Sequence, residues 1–242
     1  MSGKEVTIAA ADGGSFMGYL AQPAASAMGR AGGGGGAPGV VLIQEIFGVN
    51  RGMRNLADSL AKAGYLALCP DLFWRQEPGI QLTDQSDAEW AKAFELFQGF
   101  DVDLGMADLA ATLSFLRKTP GCSGKAGAVG YCLGGRLAFL MATRTDCDAS
   151  VGYYGVYLQE HLAEIKNIEK PLMLHVAEED EFVSKDAQAR IFQGLRDHTK
   201  VTVHRYPGLN HAFARVGGKH YDKANADLAN RRTLNFFNAH LH

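Results

Sequence analysis

Cys132, His211 and Asp180 are the side chains whose types and order in this sequence could carry out nucleophilic acyl chemistry. A cysteine attacks as its thiolate, so it needs a base within hydrogen-bond reach and a third group to orient that base. Cys132 stands in Gly130-Tyr-Cys-Leu-Gly-Gly135, a Gly-x-nucleophile-x-Gly arrangement whose glycines permit a sharp strand-to-helix turn. A thiol placed there lies at a helix N-terminus, where unpaired N–H groups and the macrodipole favour the thiolate. Asp180 lies four residues beyond the apolar run that ends at Val176, and His211 lies five beyond the run that ends at Tyr206. His175 falls inside an apolar run and reads as core, His240 and His242 lie at the chain end, and His161, His198 and His220 lack a strand-end setting. Plainer readings exist for each: a buried cysteine beside a glycine-rich turn, a solvated charge cluster over Glu178–Glu181, and a turn histidine at 211.

These side chains must be positioned by the elements around them. Ala126, Ala128 and Val129 read as a strand entering the Cys132 turn, and Leu137, Ala138, Leu140 and Met141 follow at helical spacing. Val6–Ala9 and Phe16–Ala21 flank a turn sequence and predict an antiparallel hairpin. Val40–Ile43, Tyr65–Cys69, Ser150–Tyr154, Pro171–Val176 and Val201–Tyr206 read as strands. Helices are predicted over Arg51–Ala63, Ala88–Phe97, Val102–Arg117 with Asp101 as N-cap, Ser184–Asp197 and Ala224–His240. Strands alternating with helices imply an α/β fold, a mostly parallel central sheet covered by helices on both faces, in one domain over residues 1–242. Acyl transfer also needs two N–H groups where oxyanion charge develops. The backbone of Leu133 is one expected donor and that of Ile46, in the loop after Val40–Ile43, the other.

Composition narrows the partners. A formal net charge of -2 gives no reason to expect nucleic acid or a membrane surface. Four cysteines lack CxxC spacing, and eight histidines show neither HExxH nor paired metal-ligand spacing, so neither a metal nor another cofactor is expected. No signal-like core opens the chain and nowhere do eighteen apolar residues run together, which points to a cytoplasmic protein, monomeric or weakly homo-oligomeric. Residues 25–39 are rich in Gly, Ala and Pro and predict a flexible surface loop. Gly34, Gly36 and Gly39 satisfy GxGxxG, yet they precede a strand instead of following one, which removes the dinucleotide-binding reading.

Six motifs together resemble dienelactone hydrolase (carboxymethylenebutenolidase): Gln-Glu-Ile-Phe-Gly-Val-Asn at 44–50, Pro-Asp-Leu at 70–72, the Cys132 turn, Gly-Tyr-Tyr-Gly-Val at 152–156, Asp180 with Phe182-Val183, and His-Ala-Phe-Ala-Arg at 211–215. The resemblance covers nearly the whole chain apart from the glycine-rich insert. It implies an α/β-hydrolase fold and a Cys132–His211–Asp180 triad acting on a small-molecule ester or lactone. It also implies a fourth catalytic player, Glu45, which holds the resting thiol and pairs with Arg215 until substrate displaces it. Phe47, Tyr154 and Arg215 are implied substrate-binding positions. Three positions depart from the family pattern: Trp90 stands where a second arginine reads the substrate carboxylate, Ala212 where a serine follows the catalytic histidine, and Phe94 where the lid helix carries a tyrosine. All three exchange polar for apolar groups, which predicts a larger or less anionic substrate. The same constellation would also serve a thioester or peptide carbonyl, and a catalytically idle binding protein could share the fold.

Overall fold

Every residue of the strand Ala37–Ile43 is buried, as expected for an apolar segment covered on both faces of a sheet. The computed structural model describes residues 3–24 and 36–242. The chain divides into two compact units, residues 1–127 with 241–242, and residues 128–240.

In the first unit, β1 (Lys4–Ala9) and β2 (Ser15–Ala21) form the expected antiparallel hairpin, with Val6 opposite Gly18. β2 pairs antiparallel with β4 (Leu66–Pro70), and β4 pairs parallel with β3 (Ala37–Ile43), Val40 lying opposite Ala67. Among the described residues three helices belong here: α1 (Arg51–Lys62), α2 (Asp87–Gln98) and α3 (Val102–Lys118). Each start is capped by a side chain chosen for it. The Asn50, Ser86 and Asp101 oxygens accept backbone N–H groups of the first turns. α1 packs on β2 and β4, and α3 on β3 and β4. Gly39 permits that second contact, because a Cβ there would lie 2.8 Å from Leu116.

In the second unit the C-terminal half of β5 (Cys122–Tyr131), β6 (Ser150–Tyr153), β7 (Leu172–Ala177) and β8 (Val201–Tyr206) run parallel in that order. The register sets Tyr131 beside Tyr153, Tyr153 beside His175, and Ala177 beside Tyr206. The C-terminal ends of neighbouring strands are therefore level. Helices α4 (Leu133–Arg144), α5 (Lys185–Leu195) and α6 (Lys223–Leu241) complete the unit. The β3–β4, β5–β6, β6–β7 and β7–β8 pairs are parallel, in keeping with the mostly parallel, helix-flanked sheet that the alternation predicts.

Some boundaries differ from expectation. The glycine-rich stretch expected over 25–39 falls outside the described residues from 25 to 35, and its last three residues, Ala37–Gly39, belong to β3 because they are buried and paired. Ser184 caps α5 instead of joining it, and α5 ends at Leu195, its last buried position. Tyr154 leaves β6 with φ 36°, a left-handed conformation that no strand can contain.

Candidate active site

Strand β5 delivers Cys132 to a turn from which α4 starts at the next residue. Cys132 has φ 56° and ψ -114°, a strained conformation for a residue with a Cβ. The turn is tied down on both sides of that residue. Its N–H donates to the Tyr153 carbonyl at 3.1 Å, and its own carbonyl accepts from Gly135 and Arg136 at 3.0 and 3.2 Å. The flanking glycines are sterically required: a Cβ on Gly130 would fall 1.9 Å from the Gly134 carbonyl oxygen, and one on Gly135 would fall 2.4 Å from the Tyr153 oxygen. Leu133 is the first residue of α4, so its N–H is one of the amides that have no acceptor within their own helix.

Asp180 and His211 leave the level ends of β7 and β8 on adjacent loops. Both are buried, and His211 Nδ1 lies 2.8 Å from Asp180 Oδ2 and 3.0 Å from Oδ1. A carboxylate only accepts, so Nδ1 carries the proton and donates it to Asp180. Asp180 Oδ1 also accepts from the Phe182 N–H at 2.9 Å, which orients the carboxylate within its own loop. The remaining ring nitrogen, Nε2, is buried and has no hydrogen-bond partner of good geometry. The Cys132 sulfur nevertheless lies close enough to act on the ring electrostatically. Burial alone would push the imidazole pKa down, but the electrostatic effect of the Cys132 sulfur and the bond to Asp180 outweigh it and raise His211 to about 10. The ring is held by aromatic edges as well, with Tyr154 at 5.0 Å and Phe182 at 4.8 Å between centroids. The groups that acyl transfer needs stand here: a cysteine side chain, an imidazole whose pKa is raised beside it, and a carboxylate that fixes the imidazole.

His175 is a core histidine, as its apolar run predicts. It is fully buried on β7 and belongs to a hydrogen-bond chain with a single direction. Tyr153 gives its hydroxyl proton to Asn230 Oδ1, so Thr233 Oγ1 donates to Tyr153 and accepts from His175. His175 Nδ1 accepts at 2.8 Å from the Tyr206 hydroxyl, which Arg232 Nη1 reaches at 3.1 Å. The proton of His175 therefore sits on Nε2, 3.1 Å from Thr233 Oγ1. Burial, then the neighbouring His204 and Arg232, keep His175 neutral by lowering its pKa well below the usual imidazole value.

Glu45, Ile46 and Phe47 follow β3 in the first unit, and all three are buried. The fully buried Gln44 holds this loop by accepting from Leu72 N–H at 3.1 Å and donating to the Glu45 carbonyl at 3.3 Å. Trp90, on α2, donates its indole N–H to the Asp84 carbonyl, meets Phe47 edge-on at 5.0 Å and stacks with Phe94 at 5.5 Å. Phe47, Trp90 and Phe94 thus form one aromatic cluster, with Phe94 at its exposed edge. Arg75, another cation of the stretch before α2, is committed to two carboxylates, Asp12 at 2.7 Å and the buried Asp108 at 2.8 Å. Arg215 lies in the turn after His211, partly exposed, its N–H bonded to the Ala212 carbonyl. Sequence reasoning left Phe182 without a role of its own and gave none to Gln44 or Asn210. Their function lies in hydrogen bonds and ring contacts between segments far apart in sequence, and only the position of Asn210 directly before a loop histidine hinted at it.

None of the four cysteines forms a disulfide. Among the described residues, no group of three or more His, Cys, Asp and Glu side chains is placed to hold a metal ion, and no helix is long and apolar enough to cross a membrane.

The sequence model of the dienelactone hydrolase family matches residues 16–241. A relative from Azospirillum brasilense is 47% identical over 245 residues, 98% of this chain and 99% of that one. A carboxymethylenebutenolidase from Pseudomonas putida is 42% identical over 200 residues, 83% of this chain and 85% of its own. Among solved structures, a Klebsiella pneumoniae protein superposes with a TM-score of 0.82 at 24% identity, covering 97% of this chain and 98% of that one. A dienelactone hydrolase-like promiscuous phosphotriesterase from metagenomic libraries gives 0.80 at 22% identity with full coverage of both. At these identities the two structures attest the α/β-hydrolase fold alone.

Proposed function

We propose that this chain, which belongs to the dienelactone hydrolase family, hydrolyses a carboxylic ester or lactone through a Cys132–His211–Asp180 triad. The observation that carries this reading is the buried Asp180–His211 pair, whose free nitrogen lies within electrostatic range of the sulfur on a strained strand-to-helix turn. The thiolate of Cys132 attacks the acyl carbon, and charge moves onto the carbonyl oxygen. The Leu133 N–H, assisted by that of Ile46, stabilises this charge, each donor being worth roughly 3 kcal/mol in the transition state. On collapse the carbon–oxygen bond to the leaving group breaks, and the His211 imidazolium gives its proton to the departing alkoxide. Neutral His211 then takes a proton from water, which attacks the thioester. The acid is released and the thiolate–imidazolium pair returns.

Glu45 and Arg215 are the proposed resting-state partners. A carboxylate that exchanges between a guanidinium and a thiol lets substrate binding bias the ionisation of Cys132. The proposed substrate is larger or less anionic than a dienelactone. Trp90 and Phe94 bring aromatic surface where the family pattern has an arginine and a tyrosine, Ala212 lacks the hydroxyl of the family serine, and Arg75 is occupied by Asp12 and Asp108. The working protein is taken as one cytoplasmic enzyme domain, monomeric or weakly homo-oligomeric.

Cys132→Ala tests the triad: turnover should vanish while the unfolding transition stays cooperative, and retained turnover refutes the assignment. Comparing kcat/KM for a neutral aryl ester with that for an anionic dienelactone tests the substrate class, and a strong preference for the anion refutes it.

A further inference from the structure

We propose that Asn210 is a positioning residue for the triad, the side chain that fixes the loop carrying Asp180 against the loop carrying His211. The inference rests on the reading of Cys132, His211 and Asp180 as an ester-cleaving triad.

Three N–H groups of the acid loop donate to the base loop. Glu178 N–H reaches the Tyr206 carbonyl at 3.1 Å and Glu179 N–H the Leu209 carbonyl at 2.8 Å. The third, Glu181 N–H, reaches the Asn210 side-chain oxygen at 2.9 Å, and the same oxygen accepts the His211 N–H at 2.6 Å. The first two acceptors are main-chain groups that any sequence would supply. The third depends on what stands at position 210. Its donors are the residue directly after the acid and the base itself, so one oxygen atom couples the two loops at the point where the carboxylate meets the imidazole.

Other contacts between these flanks, Arg205 with Glu178 and His220 with Glu181, join side chains and leave the Glu181 and His211 amides to Asn210. The next amide, Phe182 N–H, is turned inward onto Asp180 Oδ1. Gln188 pins the acid loop from α5 by donating to the Glu178 and Val183 carbonyls, which leaves the flank facing His211 to Asn210. Beyond His211, Ala212 is held at φ 60°, a conformation that L residues adopt only when their surroundings impose it. The base loop is thus constrained before and after the histidine. Releasing it at position 210 frees the imidazole to rotate away from the sulfur while the sheet beneath stays in place. Small displacements matter at this point, because a misplacement of about 1 Å can cost on the order of a hundredfold in rate.

The test compares Asn210→Ala and Asn210→Asp with the wild type on p-nitrophenyl acetate, with Cys132→Ala as control and thermal unfolding measured for each. Asn210→Ala should lower kcat roughly tenfold to a hundredfold with KM changed less than about twofold, the pattern of an interaction needed in the transition state. Asn210→Asp keeps the acceptor oxygen and should restore most of kcat, while its added negative charge moves the pH–rate profile upward. A purely structural residue would shift the unfolding temperature without this split or this rescue. If Asn210→Ala proves unstable, Asn210→Ser, with a shorter side chain, provides the same loss of contact. A folded Asn210→Ala or Asn210→Ser enzyme with wild-type kcat, alongside an inactive Cys132→Ala, overturns the role of Asn210 and leaves the triad standing. Equal activity in wild type and Cys132→Ala overturns the triad, and this inference with it.

Discussion

His211 presents Nδ1 to both oxygens of Asp180, at 2.8 and 3.0 Å, while its Nε2 is buried without a hydrogen-bond partner of good geometry. One side of the ring is anchored, and in the proposed triad the other serves the nucleophile. A buried ring nitrogen with no oxygen partner, near the Cys132 sulfur on a strained turn, is the arrangement that the proposed triad requires.

The sulfur is among the groups that raise His211 to about 10, against the opposing effect of burial. In Cys132→Ala that upward contribution is gone and burial remains, so the ring should titrate at lower pH than in the wild type. Imidazole resonances followed by NMR across the alkaline range read this directly, and coincident titration curves would show that the thiol does not act on the ring. The sign for stability follows. With the folded value above the unfolded 6.5, the contribution of His211 is complete below 6.5 and is lost as pH rises through about 10.

Asp180→Asn should lower kcat/KM by roughly 10²–10⁴-fold, because the amide no longer enforces the Nδ1–H tautomer or stabilises the imidazolium. Steady-state kinetics on a neutral ester check the size of the loss. A decrease below about threefold would make Asp180 an ordinary ion-pair partner.

His175 predicts a stability effect on the acid side. Its folded pKa lies well below 6.5, so the stability it contributes is present above 6.5 and is lost as pH falls toward the folded value. His175→Gln removes that titration. Urea unfolding from neutral to acidic pH should show a flatter curve for the variant below 6.5. At neutral pH the variant should be less stable by about 1–3 kcal/mol, since the Tyr206 or Thr233 hydroxyl loses its partner.

Trp90→Arg tests the source of substrate preference. A guanidinium that pairs with a substrate carboxylate is worth about 1.5–3 kcal/mol, so kcat/KM for an anionic dienelactone should rise about tenfold to a hundredfold relative to a neutral aryl ester. An unchanged ratio would remove position 90 from the determinants of specificity.

Local pattern was enough for much of the scaffold. The Cys132 turn was legible because Gly130 and Gly135 are dictated by backbone contacts a few residues away or on the neighbouring strand. The α3 start was legible because Asp101 caps its own helix at Asp103 and Leu104. Strand β8 was legible because β-branched and aromatic residues mark Val201–Tyr206. Boundaries shifted where burial and pairing outweighed composition, as at Ala37–Gly39, where glycine and proline suggested a loop and the sheet claimed the segment.

The sequence by itself determined which chemistry was possible: a nucleophile on a strand-to-helix turn, with a carboxylate and an imidazole on the loops after two later strands. Chain order and spacing pointed to Asp180, but within Glu178–Glu181 a solvated charge cluster stayed open as the plainer reading, because a run of carboxylates looks alike to most local rules. The tertiary structure sorted them, giving Glu178 to Arg205, Glu179 to Lys185 and Glu181 to His220, and reserving Asp180 for His211. That choice depends on the register that sets Ala177 beside Tyr206 and on one amide oxygen at Asn210, contacts between residues about thirty positions apart. Separations of that length leave no periodic trace in a chain, and only folding brings them within hydrogen-bond distance.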